Sequence, residues 1–81
     1  MKLIGSIPHD TCKISLYGWN SKFIVKIELG SFEQTYKVSE LDVASEEDVR
    51  DMVNDSFLEK VMHRFEAMRA DWELAMENVE D

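Results

Sequence analysis

Cysteine is almost absent from this chain. Cys12 stands alone, so no disulfide can close within it. Proline occurs once, at Pro8, and the three glycines, Gly5, Gly18 and Gly30, are isolated. That spacing excludes a glycine-rich phosphate loop. No apolar run reaches the length of a membrane-spanning helix, and the opening MKLIGSIPHD has no apolar stretch of signal-peptide length. A cytoplasmic protein without a membrane segment is the expectation. Positive charge is scarce too, with nine Lys and Arg against seventeen Asp and Glu, for a net charge of −8. Proteins that grip phosphate backbones or anionic membranes do so with clustered Lys and Arg. Neither partner is expected here.

The charge is uneven. Residues 1–40 carry five Lys against four acids, whereas residues 41–81 carry four Lys or Arg against thirteen. The acidic half reads as a solvated face. The sharper alternative is a surface that docks on a basic partner or imitates a phosphate backbone. Length and composition set a single domain over 1–81, with a sheet in 1–40 and helices in 45–80. A chain of 81 residues buries a modest fraction of its surface, and oligomerisation would add to its stability.

The sheet emerges from a test of register. A two-residue turn at Asn20-Ser21 pairs Gly18 with Phe23, Leu16 with Val25, Ile14 with Ile27 and Cys12 with Leu29 on one face. The other face pairs Trp19 with Lys22, Tyr17 with Ile24, Ser15 with Lys26 and Lys13 with Glu28. The first face is apolar and the second mixed; a slip of one residue scrambles both. Asn suits the positive φ of a tight hairpin turn. A second turn at Gly30-Ser31, of type II′ with Gly first, pairs Leu29 with Phe32, Ile27 with Gln34, Val25 with Tyr36 and Phe23 with Val38. It also sets Glu28 against Glu33, a repulsion that Lys13 is placed to offset. Strands over 11–19, 22–29 and 32–38 therefore form an antiparallel meander. KLIGSI at 2–7 is a candidate fourth strand, ended by Pro8.

After Leu41 the period changes. SEED at 45–48 has the form of a helix start, with Ser45 as N-cap and Asp48 at the capping-box position. Asn54, Asp55 and Ser56 interrupt the helical pattern, and Ser56 with Glu59 forms a second capping box. The reading is a short helix near 46–53 and a long one near 56–79, with one kinked helix as the alternative. The fold class is then α+β: a three- or four-stranded antiparallel meander packed on one face by a short helix and a long C-terminal α-helix.

The long helix carries Leu58, Val61, Phe65, Met68, Trp72, Ala75 and Val79 at alternating steps of three and four, and Met62 and Met76 widen the stripe. About 24 residues span ~36 Å, but a strand of eight covers only ~27 Å. The helix must overhang by roughly two turns. With Leu58 to Met68 on the sheet, Trp72, Ala75, Met76 and Val79 project past it; a second copy of the chain is the simplest cover, and the alternative is that the N-terminal segment or the first helix folds back over that end. A homodimer with contacts at Met68, Trp72, Ala75, Met76 and Val79 is expected.

Chemistry-bearing groups are sparse. His9 and Cys12 in PHDTC suggest a nucleophile pair, or with His63 a metal site, but Cys12 points into the core and short paired ligand spacings are lacking. Glu28 and Glu33 lie on an open face rather than in a pocket. No catalytic residue, metal ligand or cofactor site is assigned. Tyr17, Trp19, Ile24 and Lys26 form the candidate interaction surface, since Trp and Tyr are enriched at binding hot spots. Aromatics among lysines also stack single-stranded bases, a reading the overall charge disfavours. The expected function is a non-enzymatic interaction or regulatory module, homodimeric, with a protein partner. The alternative is a small-ligand binder, its site between helix and sheet or at the dimer seam, for which Gln34 beside Tyr36 is the clue.

Overall fold

The computed structural model describes residues 1–79. Four strands, β1 (Lys2–Ile7), β2 (Lys13–Trp19), β3 (Lys22–Leu29) and β4 (Phe32–Ser39), form one antiparallel sheet in sequence order. Two helices follow, α1 (Glu46–Met52) and α2 (Asp55–Glu77). The fold is α+β, with both helices on one face of the meander. Residue 80, to which the helical part was expected to run, lies outside the described residues, as does residue 81.

Both hairpins hold the register that hydrophobic alternation dictates. Ile14 faces Ile27, Leu16 faces Val25, Ile27 faces Gln34 and Val25 faces Tyr36. Asn20 and Ser21 both take positive φ, 56° and 60°, as a type I′ turn requires, and Gly30 alone is positive in the second turn, at 58°. A left-handed backbone is costly for Ser and nearly free for Gly. The repulsion between Glu28 and Glu33 is relieved from a different side than expected. Lys26, not Lys13, approaches Glu33 at 3.8 Å, and the Thr35 hydroxyl donates to Glu33 Oε2 at 3.0 Å.

β1 completes the sheet, with Ile4 bulged between the pairs Leu3–Tyr17 and Gly5–Leu16. The bulge lets both Ile4 and Ile7 pack against the core. Arg50 then ties this edge strand to α1. Its Nη1 donates to the Ser6 carbonyl at 3.0 Å, and its Nε donates to Glu46 Oε2 at 3.2 Å. A Cβ on Gly5 would stand 2.7 Å from Arg50 Nη2, so the missing side chain makes room for the guanidinium.

The core is the apolar sheet face against one side of the helices: Ile14, Leu16, Val25 and Ile27 meet Val49, Val53, Leu58, Val61 and Phe65. The chain breaks between the helices at Val53 and Asn54, so the single kinked helix is excluded. The capping differs from the sequence expectation. Ser45 stands at the N-cap of α1 without a side-chain cap bond, and Asp48 Oδ2 instead accepts from the Ala44 amide at 2.7 Å. α2 starts earlier than the Ser56 box implies. Asn54 Oδ1 accepts from the Phe57 amide at 3.0 Å, while Asn54 Nδ2 donates back to the Asp51 carbonyl at 3.2 Å. One side chain closes the first helix and opens the second, which a box centred on Ser56 cannot do.

Asn54→Ala is therefore expected to cost about 1 kcal/mol, and Ser45→Ala and Ser56→Ala only a few tenths. Urea unfolding of the three variants decides; an equal loss at Ser45 would contradict this assignment of caps. Ser21→Gly, which relieves a left-handed Ser, should raise stability by about 0.5–1 kcal/mol in the same assay. A drop would count against the type I′ turn.

Candidate functional site

α2 is laid along β4 in a regular way. Val61 meets Gln34, the Phe57 ring meets the Tyr36 ring edge-on at 5.2 Å, and Phe65 shares a groove with Phe32. Four helical residues advance ~6 Å and two strand residues ~6.8 Å, so helix and strand stay in step. Gln34 fixes this alignment. Its Nε2 donates to the Val61 carbonyl at 3.0 Å, and its Oε1 accepts from the Tyr36 hydroxyl at 2.7 Å. Arg64 Nη1 donates in turn to the Tyr36 oxygen at 3.2 Å. The fold itself engages both ends of the Gln34 amide. Tyr36 lines a shallow groove with Val49, Val53 and Phe57, but Gln34 does not reach it. The clue for a small-ligand site is thereby spent on structure.

Because α1 occupies one end of the sheet, α2 begins halfway along β4 and leaves it at Phe32. The overhang is therefore longer than the expected two turns. Every residue from Arg69 to Val79 is exposed, about 15 Å of chain. Trp72, Ala75, Met76 and Val79 line one continuous apolar strip on this tail. Trp72 is 57% exposed and Val79 84%. Met68, also expected at a subunit contact, is half-buried against the protomer's own core. Where the tail leaves the sheet, the strip runs into a groove lined by Leu29, Phe32, Met62, Phe65 and Arg69.

The opposite face of the sheet departs from expectation. Ile24 is only 3% exposed, although no helix crosses that face. It sits in the sheet interior between its cross-strand neighbours Tyr17 and Lys37. Lys26 Nζ lies 5.7 Å from the centre of the Tyr17 ring, and Tyr17 and Lys26 are both half-buried. Of the expected surface, Ile24 is thus closed off within the sheet face, Tyr17 and Lys26 are half-buried, and Trp19 is 54% exposed at the hairpin end. Hairpin pairing places residues on a face, but large cross-strand neighbours decide how much of each remains accessible.

Cys12 is buried, as its register position requires, and its thiol donates to Met62 Sδ at 3.4 Å. His9 lies nearer than expected, for a backbone reason. Its Nδ1 accepts from the amides of Thr11 and Cys12 at 3.2 and 3.1 Å, closing the loop after Pro8. Nδ1 is thus an acceptor in a turn, with the ring proton on Nε2. His63 is exposed on α2, and among the described residues no cluster of His, Cys, Asp or Glu is arranged to hold a metal. No helix among them is long and apolar enough to cross a membrane.

The apolar tail and its adjoining groove are the strongest candidate site. Their signal in the sequence is the a/d stripe outrunning the sheet. The groove at Leu29 and Phe32 was not foreseeable, because it depends on where α2 leaves β4. Comparison with protein-family models, curated proteins and solved structures finds no match to this chain.

The clamp at Gln34 has a measurable value. Tyr36→Phe leaves Gln34 Oε1 without its donor and should cost about 1–2 kcal/mol, whereas Arg64→Ala, at the exposed end of the same chain of bonds, should cost less than about 0.5. Chemical denaturation of both tests it; equal losses would place the stabilising bond at the surface.

Proposed function

We propose that this chain is a non-enzymatic interaction module that works as a homodimer, associating through the tail of α2. The observation that carries this reading is the uninterrupted strip from Trp72 to Val79, which no other described residue of the protomer covers. Acidic residues border the tail at Asp71, Glu73 and Glu77 without entering the strip. The strip is thus a bounded apolar surface on a strongly charged helix, the usual form of a contact site. A cytoplasmic location is part of the same proposal and rests on the sequence.

Fully burying a large apolar side chain yields roughly 1.5–3 kcal/mol. Trp72, Met76 and Val79 are already partly covered, so three of them on each of two copies supply about 6–10 kcal/mol in total. The lost freedom of two bodies takes back several kcal/mol of that. The balance of about 2–6 kcal/mol points to a weak, reversible dimer with a Kd from roughly tens of micromolar into the millimolar range, suited to an assembly that forms and dissolves with concentration.

Sedimentation equilibrium from about 10 μM to 2 mM should show a concentration-dependent dimer. Trp72→Glu should weaken it at least tenfold or so, by placing a charge in the strip. Its unfolding midpoint in dilute solution should stay unchanged, since Trp72 lies off the core. A monomer at the highest concentration, or a dimer indifferent to Trp72→Glu, would overturn the proposal.

A further inference from the structure

Taking the tail as a self-association surface, we infer that two copies pair their tails antiparallel. Trp72 of each lies on the partner's Ala75, and Met68 of each on the partner's Val79. Leu58, Phe65 and Trp72 occupy one heptad position of α2, a spacing that Val79 continues in the turn just past its end, and Val61, Met68 and Ala75 the other. The first half of this stripe is buried on the sheet and the second half is exposed. The open space along the tail is therefore in the layer of the sheet, beyond the Gly30-Ser31 turn. A helix fits there, because helices pack ~8–10 Å apart, close to the depth of one layer.

Orientation follows from bulk, size and charge. Parallel tails would bring two sheets to the same end of a narrow helix pair, in a molecule 26 Å wide and 19 Å thick. Antiparallel tails place the sheets at opposite ends, and each tail continues the layer of the other's sheet. In an antiparallel pair the two heptad positions alternate across the seam. Trp72 then meets Ala75 and Met68 meets Val79, large against small at each layer. A parallel pair stacks Trp72 on Trp72 and leaves Ala75 facing Ala75, a clash beside a void. Flanking residues agree. Antiparallel pairing sets Asp71 beside Asn78 and Arg69 beside Met76, so among the described flanking residues no like charges meet; parallel pairing sets Arg64 beside Arg69. Glu66, Glu73 and Glu77 stay on the outer face.

The same register brings the tail up to the groove. With Val79 on the partner's Met68, the described tail ends at the Arg69 side of the partner's hollow. The two-fold makes the contact reciprocal, and each copy both gives and receives a tail end.

The experiment uses two full-length variants at exposed positions, Asp71→Cys and Asn78→Cys, mixed in equal amounts and treated with a short bismaleimide. Native Cys12 is buried, and unmodified protein run alongside reports any contribution from it. The mixed 71–78 product is expected in roughly tenfold excess over either homotypic product, because the register holds those thiols at high effective concentration. Random proportions, or an excess of 71–71 and 78–78 products, would overturn the register. Sedimentation of the untreated mixture separates the two claims. A dimer with the wrong crosslinks defeats only the antiparallel pairing, whereas a monomer defeats tail association and the pairing with it.

Discussion

The structure depends on the matched advance of α2 and β4. Phe57, Val61 and Phe65 step along the helix as Tyr36, Gln34 and Phe32 step along the strand. Gln34 holds the match in place, since its amide reaches the one backbone carbonyl, that of Val61, that this alignment presents to it. A slide by part of a helical turn would leave a buried Gln side chain without its acceptor, and that costs more than the bond itself contributes. A polar residue on an apolar face thus acts as a register pin. Where α2 leaves the sheet, how far it overhangs and which residues it exposes follow from that alignment and from the place α1 takes at the other end.

The sheet was legible in the sequence because its information is redundant. Every pair from Leu16–Val25 to Phe23–Val38 carries the same apolar-in pattern, so only one register satisfies them together. β1 was legible only as an apolar run. Its bulge at Ile4 answers to Arg50, forty-six residues further along the chain, and to the space over Gly5. No local pattern encodes such a partner. The helix caps failed for a related reason. Ser45 and Ser56 both satisfy a capping pattern, yet Asn54 can serve two helices at once and prevails. Local rules list candidates, and the tertiary path of the chain selects among them.

The candidate site divides along the same line. The tail strip was legible because it follows from two lengths, that of a helix and that of a strand. Ile24 was misplaced because facing outward was equated with being open. Tyr17 and Lys26, meeting through a cation–π contact at 5.7 Å, belong to a face that shields its own centre. His9 likewise carries a reactive-looking ring whose Nδ1 is spent on two backbone amides. In both cases the side chain's chemistry is consumed inside the fold. Exposed apolar side chains are scattered singly at Leu3, Trp19, Leu41 and Met52, and among the described residues they gather into a strip on the tail.

That concentration separates two tasks that share one stripe. Leu58, Val61 and Phe65 hold the protomer together, and Trp72, Ala75 and Val79 lie beyond it with no part in its core. A chain of this size has little stability to spare, and a helix that ended near Arg69 would already cover the sheet. The further ten residues add nothing to that core and place a tryptophan in water. They stabilise the folded protein only if something binds them. The self-association proposed there is linked to folding through mass action, and so would strengthen with concentration. Such a device is suited to reversible assembly rather than to permanent cohesion.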